Sequence, residues 1–288
     1  METPFSSQQI YLDSDDADIY INGKTSDCIW AFRDIIIAPP SIELLLSVVN
    51  ITIPISWYVI DSNRNTIKFS LNGVDQSDIT IPQGNYSATE FEDELNTLFG
   101  SITVVYSTTQ NKYTFSHASQ DFVIKSTTTC LSHLGFSSAN HSSSGYTLTS
   151  DQIIDLSGVK SIQLRSNFTT NSLETKTKGF SSILAKIPVP LAQGSILVYT
   201  NKTGFKSKLS NTHINYIRLT LEDHDNKPLE LNNIEWSCTL QIDYQKERRY
   251  NNITNQVSEK TNAIDKHKLL KQAIAKELGI QDEIKSPM

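Results

Sequence analysis

In the segment from residue 234 to residue 245, apolar and polar side chains alternate strictly, so every second residue is apolar. The apolar set is Ile234, Trp236, Cys238, Leu240, Ile242 and Tyr244. Because successive side chains of a β-strand point to opposite faces of its sheet, a period of two predicts a strand with one face on a hydrophobic core. A long strand of this kind needs a second layer to cover its apolar face.

Seven more segments have strand patterns and are separated by turn residues. They lie near residues 17–22, 28–37, 42–55, 160–167, 183–189, 194–200 and 214–222. With the segment at 235–245 they make eight strands, and eight antiparallel strands around one core fit a two-sheet jelly roll. The sequence therefore predicts a mainly β protein built on a jelly-roll sandwich.

The third of these segments, residues 41–56, is apolar on both of its alternating sets of side chains. Such a pattern is typical of a strand that is covered on both faces. We therefore expect this strand to lie in the centre of a sandwich or under a neighbouring subunit.

A different pattern between the third and fourth strands predicts an inserted α+β module at residues 65–144. Ser87 and Glu90 form a capping box, and Gly100 can end the helix that follows, so we expect a helix over residues 87–99. Its apolar face comprises Ala88, Phe91, Leu95, Leu98 and Phe99. Short strands are predicted at 66–71, 78–81, 102–106, 112–116 and 121–125, and a last helical turn at 130–136 with Thr129 as its cap and Gly135 at its end.

The jelly-roll domain is then discontinuous, with residues 1–64 and 145–245, and residues 246–288 form a C-terminal arm. From Lys246 to Lys276 the arm has eight basic residues against three acidic ones, whereas the whole chain has a net charge of −6. We expect an extended connector over 246–260 and then a short helix that begins at Asn262 and ends before Gly279, with a narrow apolar stripe.

Charge and cysteine content limit the functions that the chain can have. A net charge of −6 argues against the chain as a whole being a nucleic-acid binder. No apolar run is as long as a membrane span, and the N-terminal residues lack the pattern of a secretory signal. The three cysteines are widely separated and odd in number, which favours synthesis in the reducing interior of a cell rather than secretion.

No pattern of nucleophile, base or metal ligands indicates catalysis, so we expect no catalytic, cofactor-binding or metal-binding residues and no enzyme activity. Cys28, Cys130 and Cys238 lie within strand or helix patterns, and only Cys130 has a histidine nearby, His133. Inert core cysteines are therefore the preferred interpretation. The six histidines form no pair with the spacing of metal ligands.

Two acidic segments are weak candidates for Ca²⁺. In one, Glu222, Asp223 and Asp225 surround His224; in the other, four carboxylates lie within residues 13–19. The second lacks the glycine and the terminal glutamate of a calcium loop. Solvated turns are the preferred interpretation of both segments.

Aromatic side chains raise the alternative of carbohydrate binding, which jelly rolls often perform. Trp57 and Tyr58 follow Pro54 at the end of a long strand and are the best candidates for an exposed pair, whereas Trp30 and Trp236 fall on strand positions where burial is expected. Packing of Trp57 and Tyr58 against the inserted module or a neighbouring subunit is the preferred interpretation.

Four stretches, in the same order along the chain, resemble the penton (vertex) capsid proteins of virophages, polinton-like viruses and related eukaryotic DNA viruses of the double-jelly-roll lineage. They are residues 11–32, YLDSDDADIYINGKTSDCIWAF; residues 53–70 and 79–99, IPISWYVIDSNRNTIKFS and ITIPQGNYSATEFEDELNTLF; residues 153–168 and 183–199; and residues 217–243, IRLTLEDHDNKPLELNNIEWSCTLQID. The segment after residue 245 does not match.

This resemblance implies a structural capsid protein that forms homopentamers at the five-fold vertices of an icosahedral virion, next to capsomers of the major capsid protein. The basic arm is then a candidate for contact with internal virion components, and the inserted module for contact with a host receptor. Two alternatives are a minor capsid or cement protein between capsomers and a jelly-roll attachment protein that binds glycans or a receptor. For the arm, a solvated linker with a docking helix is preferred to a contact with DNA.

Overall fold

The computed structural model describes residues 6–168, 170, 172–176 and 178–246. The first part of the chain forms four strands, which are β1 (Ser6–Asp13), β2 (Ile19–Tyr20), β3 (Asp27–Ile37) and β4 (Ile42–Pro54). Short 3-10 helices at Ser14–Asp16 and Ile21–Gly23 lie on either side of β2.

The middle of the chain forms short strands and two helices. They are β5 (Thr66–Ile67), β6 (Phe69–Leu71), β7 (Val74–Asp75), β8 (Ile79–Thr80), α1 (Ala88–Phe99), β9 (Ile102–Ser107), β10 (Lys112–His117), β11 (Phe122–Ile124), α2 (Leu131–Leu134), β12 (His141–Ser142) and β13 (Thr147–Thr149). The predicted helix and its capping box are confirmed, since the Ser87 hydroxyl accepts a hydrogen bond from the Glu90 N–H at 3.2 Å. Gly100 ends α1 with a φ of +64°, which favours glycine.

The last part of the described chain is again made of strands. They are β14 (Ser161–Ser166), β15 (Leu173–Glu174), β16 (Gly179–Phe180), β17 (Ile183–Pro188), β18 (Ile196–Thr200), β19 (Ser207–Lys208), β20 (His213–Glu222) and β21 (Ser237–Lys246). The mainly β class predicted from the sequence is confirmed. The predicted arm lies, apart from Lys246, outside the described residues.

Two large antiparallel sheets pack face to face. The first has the strand order β1-β21-β4-β18, with β19 also beside β4, and the second has the order β17-β14-β20-β3-β2. Both contribute to one hydrophobic cluster, in which Leu240 and Ile242 come from the first sheet and Ile217 and Leu219 from the second. Trp30 lies in the second sheet, and Trp236 comes just before β21 of the first sheet. Their rings pack in an edge-to-face arrangement, with 6.0 Å between the ring centroids. The cluster is therefore the core of a β-sandwich.

A second hydrophobic cluster lies within residues 60–156, which we call the middle region. It packs α1 against small sheets with the strand orders β13-β10-β9, β12-β11-β6-β7 and β5-β8. Its buried members run from Ile60 to Ile154, whereas the described members of the first cluster skip from Trp57 to Val159. The two clusters nevertheless belong to one compact unit of the fold.

The position predicted for the first strand of the sandwich is wrong. The strand expected at 17–22 is only the two-residue β2, because a 3-10 helix begins at Ile21. The edge of the first sheet is instead β1, which pairs with β21 over its whole length. An edge strand needs few inward apolar residues, and β1 has two, Ile10 and Leu12, so its polar sequence gave no strand signal.

A β-bulge explains the two apolar sets of β4, so the pattern no longer requires that the strand be covered on both faces. Leu240 of β21 pairs with Val48 and Thr239 pairs with Asn50, so Val49 is the extra residue. A bulge of one residue moves the inward face from one alternating set to the other. The buried residues accordingly change from Leu44, Leu46 and Val48 to Ile51 and Ile53.

Two smaller expectations are also corrected. Thr129 does not cap α2, since its hydroxyl accepts a hydrogen bond from the Thr66 N–H at 2.9 Å and Cys130 takes the cap position without a side-chain bond. Ile234 does not continue the buried face of β21, because its N–H bonds to the Leu231 carbonyl in a turn before the strand and its side chain is exposed.

Candidate interaction surfaces

The two edges of the sandwich form two separate flanks. The first flank is residues 6–37, in which β1 ends one sheet and β2 with β3 ends the other; the second flank is residues 183–208, in which β18 and β17 end the opposite sides of the same sheets. Gln8–Tyr11 of β1 and Phe32–Asp34 of β3 line one shallow cleft, so the two sheet edges of the first flank are neighbours. The seven residues 189–195 join β17 directly to β18.

Five large apolar side chains of the first flank are exposed rather than covered by other described residues. They are Tyr11, Ile19, Tyr20, Ile35 and Ile37. Tyr11 is 73% exposed and lies on β1, which pairs with β21 alone among the described strands. Within the described part of the chain, the other edge of β1 therefore leaves backbone N–H and C=O groups without a strand partner, beside an apolar side chain.

The second flank has the same character. Its exposed apolar side chains are Leu191, Ile196, Val198 and Phe205, and Val198 is 64% exposed. β18 pairs with β4 alone among the described strands, so its outer edge is also open. Proteins usually protect such edges with Lys or Pro, and neither residue occurs in β1 or β18. Of the eighteen large apolar side chains exposed in the described part, nine lie on these two flanks.

The acidic turn after β20 is an ion-pair site within the chain. Arg64 of the middle region donates hydrogen bonds to the carboxylates of Asp223 and Asp225, the latter at 3.0 Å, and Arg165 donates to Glu222 at 2.5 Å. Burial alone lowers the pKa of Arg64, but the hydrogen bond and charge of Asp223 outweigh it and raise the pKa. Arginines therefore neutralise the carboxylates considered above for Ca²⁺, and His224 is exposed beside them.

In the other acidic segment, Asp18 does not line the cleft that Asp13, Asp15 and Asp16 share. The carboxylate of Asp18 accepts a hydrogen bond from the Ala31 N–H at 2.7 Å, which ties the loop to β3. Asp13, Asp15 and Asp16 line a cleft of about 380 Å³ with Glu235. No group of three or more potential metal ligands forms among the described residues.

The three cysteines are free thiols in the two cores. Cys28 and Cys238 belong to the sandwich cluster and Cys130 to that of the middle region. Burial, together with the charge of Asp27, raises the pKa of Cys28 to about 12, and burial raises the pKa of Cys130 to about 12. Thiols with such pKa values are poor nucleophiles near neutral pH.

The aromatic pair Trp57–Tyr58 is divided between core and surface. Trp57 is 2% exposed and belongs to the sandwich core, whereas Tyr58 is 38% exposed. Tyr58 lines a cleft of about 320 Å³ with Asn85, Ile196 and Ile234. A single exposed ring beside an apolar cleft is part of the surface that adjoins the second flank, rather than the paired aromatic platform considered above.

His133 of α2 is a buried group whose environment the sequence did not indicate. Its Nδ1 has no hydrogen-bond partner within the described residues. Burial, and the nearby positive charge of Arg64, lower the pKa of His133 from 6.5 to about 4, while Asp155 and Asp61 oppose the shift. The imidazole is therefore neutral near pH 7, and a proton on it is unfavourable in the folded chain.

We expect the stability of the protein to fall as the pH drops from 6.5 to 4. A histidine with a lowered folded-state pKa contributes stability that is complete above its unfolded pKa and is lost as the pH falls toward its folded pKa. For a shift from 6.5 to about 4, the loss is about 3 kcal/mol. Urea unfolding at several pH values measures it, and a His133→Phe variant should lose this pH dependence; an equal fall in both proteins would contradict the role of His133.

No protein-family model and no curated protein matches the sequence. Among the described residues, no helix is both long and apolar enough to span a membrane. Among solved structures, the chain is similar to the mavirus penton protein in a crystal structure of its selenomethionine-labelled form, with 13% identity and a TM-score of 0.45 over 83% of this chain and 100% of that one. A likeness at this level assigns neither a family nor a function.

Proposed function

We propose that this chain is a structural capsid protein, the penton subunit that forms homopentamers at the five-fold vertices of an icosahedral virion. The strand pairing supports the jelly-roll part of this proposal. The sandwich has eight strands of five residues or more, which are β1, β3, β4, β14, β17, β18, β20 and β21. They pair first with last, second with seventh, third with sixth and fourth with fifth, which is the order of a jelly roll.

The same proposal divides the chain into a jelly-roll domain of residues 1–64 and 145–245, an inserted module of residues 65–144, and a basic arm of residues 246–288. Support for the module comes from the second hydrophobic cluster, which runs from Ile60 to Ile154 and so extends slightly beyond these bounds. A module with its own core can vary in sequence without disturbing the sandwich, which suits contact with a host receptor.

The observation that carries the vertex role is the pair of open, apolar flanks on opposite sides of one rigid sandwich. Two different surfaces of one subunit make a head-to-tail contact with the next copy, and such a contact closes into a ring when its rotation fits. Because the bulge in β4 accounts for its two apolar sets, the flanks rather than β4 are the proposed contacts with neighbouring subunits. The outer surface of the ring would then contact the major capsid protein, and the arm would contact internal virion components.

The position and copy number of the chain in a reconstructed virion test this function. We expect five copies around each five-fold axis and none at the positions between other capsomers. A chain found between major capsid capsomers would instead be a cement protein, and one found on a fibre outside the shell would be an attachment protein. Either result would exclude the vertex role.

A further inference from the structure

We propose that the first flank of one copy binds the second flank of the next copy, as an acidic surface against a basic one. This inference rests on the proposed ring and names the surfaces that close it. The occupant of each flank is thus a second copy of this chain rather than a different protein.

The charges of the two flanks are opposite. Residues 6–37 contain six aspartates against Lys24 and Arg33, a net charge of −4, whereas residues 183–208 contain four lysines and no carboxylate. These charges lie on opposite edges of the sandwich, since β1 and β18 end the first sheet and β3 with β2 and β17 end the second. The chain therefore has a polarity from edge to edge that its net charge of −6 conceals.

Part of this charge is already paired inside the chain. On the first flank Asp27 pairs with Arg218 at 2.7 Å and Lys24 with Glu230 at 3.3 Å. On the second flank Lys206 pairs with Asp243 and Lys208 with Glu43, each at 2.5 Å. No ion pair within the described residues involves the exposed carboxylates of Asp15 and Asp34 on the first flank. Charge on each flank is therefore available to a second copy.

The second flank has the matching open cations. Lys186 on β17 and Lys202 after β18 are exposed, and neither forms an ion pair with another described residue. Exposed apolar side chains belong to the same flanks as these charges. In protein interfaces, apolar contacts supply affinity and complementary charges supply orientation. A copy that turned the same flank to its neighbour would face like charges, so the pattern favours the head-to-tail contact over a two-fold one.

Charge reversal on the full-length protein tests the contact. The first-flank variant carries Asp15→Lys and Asp34→Lys, the second-flank variant carries Lys186→Glu and Lys202→Glu, and a combined variant carries all four changes. We expect the wild type to form closed rings, each two-site variant to weaken ring formation by roughly 100-fold because like charges then face each other, and the combined variant to recover it. Sedimentation velocity over a salt series measures the assembly.

Matched controls place the same changes away from the flanks. Asp93→Lys on α1 and Lys178→Glu in the β15–β16 hairpin alter exposed charges and should leave assembly unchanged. Thermal unfolding of every variant shows whether the fold is kept. A combined variant that is folded but still fails to assemble would overturn the inference, as would a two-site variant that assembles like the wild type.

The outcomes also separate this inference from the vertex role. Rings of five that ignore both charge reversals would refute the flank contact and leave the penton proposal intact. Rings of another size that depend on both flanks would support the contact and refute the vertex role. A wild-type chain that remains monomeric at every salt concentration would overturn the flank contact.

Discussion

Replacing Arg64 with alanine will lower the free energy of unfolding by about 3–5 kcal/mol, the usual cost of removing one partner from a buried ion pair. Arg64 lies in the middle region, and its guanidinium contacts Asp223 and Asp225 in the turn after β20, with Asp61 at 3.9 Å. The Asp223 side chain is only 4% exposed, so the substitution leaves a buried carboxylate without its cation. Chemical unfolding at neutral pH measures the loss.

A matched control is the exposed pair between Lys68 and Asp78, whose nitrogen and oxygen are 3.2 Å apart. Lys68→Ala should change stability by less than about 0.5 kcal/mol, since exposed ion pairs contribute little. A double variant with Arg64→Met and Asp223→Asn should recover much of the loss, because it removes both charges and keeps the packing volume. An Arg64→Ala protein as stable as the wild type would show that Asp223 gains water or another partner.

Removing residues 60–157 and joining Val59 to Gly158 through a short Gly/Ser linker will leave a soluble β-sandwich. Every described member of the sandwich cluster lies outside the removed segment. A Cβ atom at Gly158 would lie 3.3 Å from the Val59 side chain, so the two ends of the cut are already neighbours. Because the cut also removes Arg64, the shortened chain should carry Asp223→Asn. Circular dichroism and a cooperative thermal transition test whether the sheets remain.

The bounds of the cut matter, because the second core extends beyond the predicted module. A shorter deletion of residues 66–136 leaves Ile60 and Ile154 behind without the residues that bury them. We expect this shorter deletion to be less soluble than the longer one, since exposed apolar clusters promote aggregation. Loss of a cooperative transition in the longer deletion would mean that the sandwich needs the middle region to fold.

Local patterns predicted most of the secondary structure. The capping box at Ser87, the apolar face of the helix and Gly100 together predict α1, because each acts within a few residues of the chain. The positions of β3, β4, β14, β17, β18, β20 and β21 also follow from alternation and turn residues. β1 was missed, since an edge strand that buries only Ile10 and Leu12 has too weak a pattern to be recognised.

The candidate surfaces could not be predicted in the same way, because they depend on which strands lie at the edges. Tyr11 and Val198 lie on β1 and β18, each of which pairs with one strand among the described residues, so the outer edge of each strand is open. An alternating pattern shows which side chains share a face, but it does not show whether a further strand lies beside them. The same limit applies to Arg64, whose partner Asp223 is 159 residues away in the chain.

By itself, the sequence determined the mainly β class, the helix Ala88–Phe99 and the positions of most long strands, because short-range hydrogen bonding and side-chain periodicity control these features. Only the tertiary structure decided the strand order, the bulge at Val49 and the two opposed flanks. Strand pairing joins residues as far apart as Ser6 and Tyr244, and nothing in a local pattern specifies such a partner. Burial in the shared core selects the pairing, since it must cover the apolar face of every strand at once.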